Sequence, residues 1–484
     1  MHSAAQLVPD QRTTGHERPA GRERRRWWRR VLSVLGRGLV VLLAFLAIPS
    51  AAFVADSRAY EQSRYAQPEP TAGSALTAAT PPAHDPSKPT AVVVVGNSGA
   101  NVADTLVPYD ILAETGAFNL YTVAPERRPL PLLGGLDLVP DLSFAQLEQR
   151  LAGSAPDVTV VPDMPQSDDS DAAVTAWLRD TASDGLLLGV CTGARLLAEA
   201  GLLDGREATS HWYRLRTLQN DNPGVIWRRG LRYVDDGDVI TTGGLLSSVD
   251  GTLRVIERLL GTDTAVAAAE TAGWRYYSPG KAATLPRSQL APDDAVTHLL
   301  NLGFRADNTT IGVVLTDGVG ELELAAAFAP YAEVKAARTV AIATDDDPIR
   351  SRHGLTFLPR ADLDATVRVD HLLVPGTETA ANPDDDIVAA ARRADVPVAY
   401  LHAQPGFAFD PALREMARIT DIRTALWTAK ILEYPTAELG LTGRSWPWTL
   451  AMRPLLLGLA GLALALGVNL VIRRRHRQAT TTRW

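Results

Sequence analysis

The chain has 484 residues, a formal charge of −7 and one cysteine. That length holds two ordinary domains plus extra segments, and a single cysteine excludes any intrachain disulfide. Residues 1–55 sum to +6 and residues 444–484 to +7, leaving about −20 on the middle of the chain; an acidic centre between basic ends argues against nucleic-acid binding, which needs a clustered basic face.

Residues 1–30 form a basic tail that ends in Arg22-Glu-Arg-Arg-Arg-Trp-Trp-Arg-Arg30. Residues 31–55 follow as a predicted transmembrane anchor. Their uncharged run Gly38–Ala55 approaches the ~20 residues that cross a bilayer. The competing reading is a cleavable signal peptide with a site near Ser50-Ala51-Ala52. Residues 56–90, rich in Ala, Pro, Ser and Thr, read as a flexible stalk.

From Ala91 onward apolar runs alternate with helical segments: a strand at Ala91–Val95, a helix near Ala103–Thr115, strands near Asn119–Val123 and Val158–Val161, a helix near Ala172–Thr181. This alternation predicts an α/β fold, a flavodoxin-like parallel-sheet sandwich with helices on both faces. The first unit covers 91–274, a linker 275–308, and a second unit 309–435 repeats the first in order and spacing. Gly354-Leu-Thr-Phe-Leu-Pro359 parallels Gly135-Leu-Asp-Leu-Val-Pro140, and His371-Leu-Leu-Val-Pro-Gly376 parallels Asp157-Val-Thr-Val-Val-Pro162. Two tandem copies are therefore expected, the second degenerate: its Val398-Ala-Tyr-Leu-His-Ala-Gln404 has no cysteine. A second transmembrane helix at 450–472 and a basic tail at 473–484 close the chain. Positive flanks on the outer ends of both apolar segments place the termini in the cytoplasm and the central domains on the extracytoplasmic side of the cell membrane.

Cys191 sits between the apolar run Gly185–Val190 and the helical run Ala194–Ala200, with Gly189 and Gly193 allowing a sharp turn. Amides at the start of the helix favour an anion, so the sulfur is predicted to shift toward thiolate; the alternative is a small cysteine packed in a core. Asp104 opens the first helix and meets Cys191 if both follow neighbouring strands, either as a proton relay or as a helix cap. Thr192 supplies a hydroxyl and an amide for an oxyanion, or caps the turn. His211 is a binding candidate or a packed structural residue. The acidic triplets Asp345–Asp347 and Asp384–Asp386 read as solvated loops. No His/Cys cluster has zinc spacing and no glycine loop fits a phosphate, so no metal or cofactor is predicted.

Val190-Cys-Thr-Gly-Ala194, Leu197-Ala-Glu-Ala-Gly-Leu-Leu-Asp-Gly205, Ala208-Thr-Ser-His-Trp212 and Thr241-Thr-Gly-Gly244 resemble the ThiJ/PfpI superfamily, relatives of class I glutamine amidotransferases. Its nearest branch contains isonitrile hydratases and the sensing domains of AraC-like regulators. The resemblance implies Cys191 as nucleophile, Asp104 as its acidic assistant, Thr192 as the following threonine, and a small-molecule substrate or ligand. It covers 91–274 well and 309–435 weakly. The family usually has Val-Pro-Gly-Gly where this chain has Val161-Pro-Asp-Met164, so Asp163 stands where a glycine amide helps to form the oxyanion hole. Two functions are expected from these residues: a cysteine-dependent hydro-lyase or hydrolase acting on a small electrophile, or a non-catalytic ligand-binding module. Gly193 and Asp163 join His211 among the expected binding residues, and a homodimer is left open.

Overall fold

The computed structural model describes residues 20–68, 79–182, 184–281, 284–305, 309–344, 347–363 and 368–481. They fall into two compact units, one made from the chain ends up to Ala51 and from Pro454 onward, the other running from Ala52 to Arg453.

The larger unit is built on two main sheets, with a four-stranded and a two-stranded sheet beside them among the described residues. Strand β1 (Thr90–Val94) is buried along its whole length, as a β-branched run must be to lie inside a parallel sheet covered on both faces. It is followed by β2 (Asn119–Ala124), β3 (Leu142–Ser143), β4 (Val158–Val161), β5 (Leu186–Gly189), β6 (Tyr233–Asp236) and β7 (Val239–Thr242). The seven strands lie in the order β6-β7-β5-β4-β1-β2-β3. All neighbours are parallel except the β6–β7 pair. The second sheet holds β8 (Thr310–Val314), β9 (Arg338–Ala343), β10 (Ala361–Asp362), β11 (His371–Val374) and β12 (Val398–Tyr400). Its order, β10-β9-β8-β11-β12, is parallel throughout. It runs through the chain as β3-β2-β1-β4-β5 does in the first sheet. The expected α/β parallel-sheet fold is present.

The helices include α1 (Ala20–Arg64), α2 (Val102–Glu114), α3 (Ala194–Glu199), α4 (Pro292–Phe304), α5 (Glu321–Glu333), α6 (Ile422–Ile431) and α7 (Trp448–Thr481). Helix α2 packs against α5, joining the two sheets into one hydrophobic core. Ala325, Ala326, Ala327 and Ala329 are fully buried on α5, and such small side chains let the backbones approach closely. The segments Leu136–Val139 and Thr356–Leu358 pair with each other antiparallel, with Phe357 opposite Leu138. Arg360 clamps Asp137 across the same seam through bonds of 2.6 and 2.8 Å.

Two stretches differ from expectation. Helix α1 does not end near residue 55 but continues through Arg64, and Tyr60 Oη donates to Ala332 O at 2.9 Å. Farther along, the Asn119 amide holds Asp85 through two bonds of 2.7 Å. Much of the expected stalk is thus fastened to the α/β unit, while residues 69–78 lie outside the described residues. The expected linker contains α4, which packs on α6. Pro292 opens it and Asp293 and Asp294 follow in its first turn, a sound helix start. Arg305 pairs with Asp421 at 2.6 Å and Lys430 with Asp294 at 2.6 Å.

In the smaller unit, α1 and α7 contain two stretches long and apolar enough to cross a membrane, among the described residues. The helices touch where glycine removes a side chain. A Cβ on Gly461 would lie 2.2 Å from Ala44 O, and one on Gly458 2.5 Å from the Phe45 ring. Close backbone approach through small residues is how helices associate in lipid.

Candidate active site

Strand β5 delivers Val190 and then Cys191, which turns into a single 3-10 turn, Cys191–Gly193, ahead of α3. Cys191 has φ 54°, a left-handed conformation that costs a non-glycine residue roughly 1–2 kcal/mol. Its peptide is held at both ends. Cys191 N donates to Thr242 Oγ1 at 3.2 Å and Ser210 Oγ donates to Cys191 O at 2.7 Å. The Ala208–Trp212 and Thr241–Gly244 motifs therefore serve as the clasp of the cysteine turn. Gly193 packs on the end of β4, where an added Cβ would lie 2.0 Å from Val161 O; no other residue fits.

Asp104 lies in the first turn of α2. That turn is capped by Asn101, whose side chain accepts from Ala103 N and Asp104 N, so the cap is not Asp104. Its Oδ2 instead accepts from Asp163 N at 3.2 Å. Its Oδ1 is buried with no hydrogen-bond partner among the described residues, and its carboxylate interacts with the Cys191 thiol. Thr192 Oγ1 lies 3.7 Å from the Cys191 sulfur. The structure thus brings Cys191, Asp104, Thr192, Gly193 and Asp163 together. His211 points elsewhere: Nε2 lies 2.8 Å from Ile431 O at the end of α6. Beside it, Glu433 accepts from Gly244 N and Ser247 Oγ, tying the Thr241–Gly244 turn to the end of α6.

The thiolate expectation is not met. Burial pushes the Cys191 thiol well above its ordinary value, and Asp104, Asp163 and Glu333 add to the push. The same causes, burial first, then Asp163 and Glu333, raise the Asp104 carboxyl. Helix α3 has only six residues, so its dipole is a weak counterweight to three acids. Burial also raises Asp163, against the pull of Arg195, Arg214 and Arg64.

Three contributors went unread in the sequence. Glu333, the last residue of α5, bonds to the Asn101 side chain and so enters the site from the second sheet's side. Arg64 and Tyr65 at the end of α1 line a cavity of about 420 Å³ with Asp163, Thr192 and Arg214. No local pattern marks such residues, because their relevance comes only from packing between distant segments. A second cluster, Asp110, Glu321 and His353, lies at the seam between α2 and α5. There Glu321 accepts from Ser351 Oγ at 2.6 Å and lies 2.8 Å from His353 Nδ1. Of the acidic triplets, Asp384 caps a helix by accepting from Asp386 N, and Asp345 and Asp346 lie outside the described residues.

Residues 90–258 match the DJ-1/PfpI family. Isonitrile hydratase of Pseudomonas putida is 32% identical over 166 residues, 34% of this chain and 68% of that protein. This chain belongs to the DJ-1/PfpI family. The HTH-type transcriptional regulator CdhR of Pseudomonas aeruginosa is 39% identical over 99 residues, 20% of this chain and 29% of the regulator. Among solved structures, a ThiJ/PfpI family protein from Pseudomonas syringae aligns at 24% identity and a TM-score of 0.34, covering 42% of this chain and 87% of that one. The family match ends well before the second sheet, so the segments that supply Glu333 and Glu433 lie beyond it, and Arg64 and Tyr65 precede it.

Proposed function

We propose that this DJ-1/PfpI protein is a membrane-anchored, extracytoplasmic enzyme in which Cys191 attacks an electrophilic carbon of a small molecule, as in an isonitrile hydratase-like hydro-lyase or hydrolase. The observation that carries this reading is the left-handed Cys191 beside a buried carboxylate oxygen left without a hydrogen-bond partner. Strain of this kind persists where the surrounding structure over-determines a working residue.

Because the thiol is protonated near neutral pH, attack and proton loss are coupled. As sulfur bonds to the terminal carbon of an isonitrile, its proton passes through Asp104 to the substrate, giving a thioimidate. Water then adds to that carbon with one of its protons passing to nitrogen; the carbon–sulfur bond breaks and the remaining hydroxyl proton passes to sulfur, while the first proton stays on carbon as the formyl hydrogen. The net change is one water added and one formamide released. Asp104 is the proton carrier and Thr192 flanks the reacting carbon. No cofactor enters this scheme. The test is formamide production from an alkyl isonitrile by the full chain. Loss of turnover in Cys191→Ala and a fall of roughly 10²–10⁴-fold in Asp104→Asn are expected, the usual range for losing a general acid–base. No turnover in the wild type contradicts the reading.

The second reading is a ligand-binding module in which Asp163 lines the pocket, Gly193 sits behind Thr192 against β4, and His211, turned toward Ile431 O, is a structural residue. Asp163 in the glycine position favours it: a carboxylate there opposes a developing anion. Its amide is, moreover, committed to Asp104.

The second sheet is read as a degenerate copy of the family fold. By strand register Val161, Gly189 and Cys191 correspond to Val374, Tyr400 and His402. His402 has both ring nitrogens occupied, Nδ1 by Gly376 N at 3.1 Å and Nε2 beside Ala408 O at 3.2 Å, which suits a structural role. Glu333 from this lobe reaches the Cys191 site, so one chain completes it and a homodimer is not required. Both apolar helices are read as membrane spans with cytoplasmic termini. Basic residues outside each span and outward-facing Leu, Val and Ile side chains support this.

A further inference from the structure

The cavity beside Thr192, the residue after Cys191, is walled from outside the family fold by the end of α1 and the residue just after it. Tyr65 and Arg64 line the 420 Å³ cavity together with Thr192 and Asp163. This segment is fastened at every step. Gly134 N donates to Arg64 O at 3.3 Å, Arg360 Nη2 to Ala66 O at 2.7 Å, and Arg128 Nη1 to Gln67 Oε1 at 3.0 Å. Lys335 pairs with Glu61 one turn earlier. The Tyr65 ring packs where a Cβ on Gly99 would come within 3.0 Å of it. Its phenol feels Asp163, Glu333 and Asp104, the same acids that surround the sulfur. Cys191 itself is only 4% exposed.

We infer that Tyr65 is a ligand-contacting, specificity-determining residue: with Arg64 it forms a fixed outer wall that sets the size of molecule able to reach Cys191. The inference rests on the reading of Cys191 as the reacting group, yet the two are tested apart. A wall pinned by four bonds to loops at Arg128, Gly134, Lys335 and Arg360 excludes bulky molecules by shape and admits compact ones. Segment 60–67 therefore belongs to the site, though it lies before the first strand of the matched domain.

The experiment uses the full chain in detergent micelles, where the single cysteine makes labelling unambiguous. Cys191 alkylation by compact iodoacetamide and by bulky N-benzylmaleimide is followed by mass spectrometry in wild type, Tyr65→Phe, Tyr65→Ala and Tyr65→Trp. Opening the wall in Tyr65→Ala is expected to speed the maleimide roughly tenfold with a smaller change for iodoacetamide, since access controls a buried thiol. Tyr65→Phe keeps the wild-type ratio, and Tyr65→Trp slows the maleimide. Should Tyr65→Ala fail to fold, Tyr65→Trp decides alone. A maleimide-to-iodoacetamide ratio indifferent to the residue at 65 overturns the wall. Absent isonitrile turnover with that ratio still responsive overturns the catalytic reading and leaves the wall intact.

Discussion

Cys191 pairs two costs, a left-handed backbone and a buried thiol among acids, and each makes a prediction. Replacing the residue separates them: Cys191→Gly removes the backbone strain and Cys191→Ala keeps it, so the glycine variant should be more stable by about 1 kcal/mol in denaturant titration. Equal stability would mean that the left-handed turn carries no strain. Asp163 acts on the same sulfur. Asp163→Asn removes one negative neighbour and should move the Cys191 alkylation profile to lower pH. An unmoved profile would show that Asp163 does not act on the thiol. The motif around Cys191 was legible in sequence because a tight turn needs Gly189 and Gly193 locally. The protonation state was not, because it depends first on burial and then on Asp104, Asp163 and Glu333, and both the burial and the approach of Glu333 come from packing between distant segments.

At the scale of elements, the strands and the helix after β1 were legible because apolar runs of four to six residues alternate with helical segments. The extension of α1 was missed since composition averaged over 56–90 hid Ala55-Asp-Ser-Arg-Ala-Tyr-Glu-Gln-Ser-Arg64, a sequence rich in good helix formers. The α4 start, Pro292-Asp-Asp294, carries a helix signal in the sequence itself, within the stretch expected as a linker. One contact between elements is rigid enough for a sharp prediction. In Gly193→Ala the new methyl would overlap Val161 O, so the start of α3 must lift off β4. A cost of about 3 kcal/mol is expected in denaturant unfolding, with loss of Cys191 function. A cost under about 1 kcal/mol would show that the α3–β4 contact is looser than described.

For the whole molecule, buried carboxyls dominate the pH response. Burial lifts Asp110 to about 7, with Glu321 adding to it, lifts Asp250 to about 7 and lifts Asp141 to about 6. A carboxyl whose folded pKa is raised binds its proton more tightly when folded. Its stabilisation is complete below the unfolded value and is lost as pH rises through the folded one. His353, raised mainly by its bond to Glu321 against burial, works in the same direction. Glu321 and Glu323 are lowered by their partners and contribute fully above pH 5. Between pH 5 and 7.5 the larger unit should therefore lose stability, its melting temperature falling by several degrees. Asp110→Asn should flatten the curve. A melting temperature that rises across this window would contradict the placement of these acids in the core.

The most direct test of the account is the pH profile of Cys191 alkylation in the full chain and in Asp104→Asn. The account predicts a wild-type thiol that titrates well above the ordinary cysteine range, and a clear downward move when the neighbouring carboxylate is neutralised. A wild-type thiol that titrates at or below the ordinary value, or one indifferent to residue 104, would contradict it.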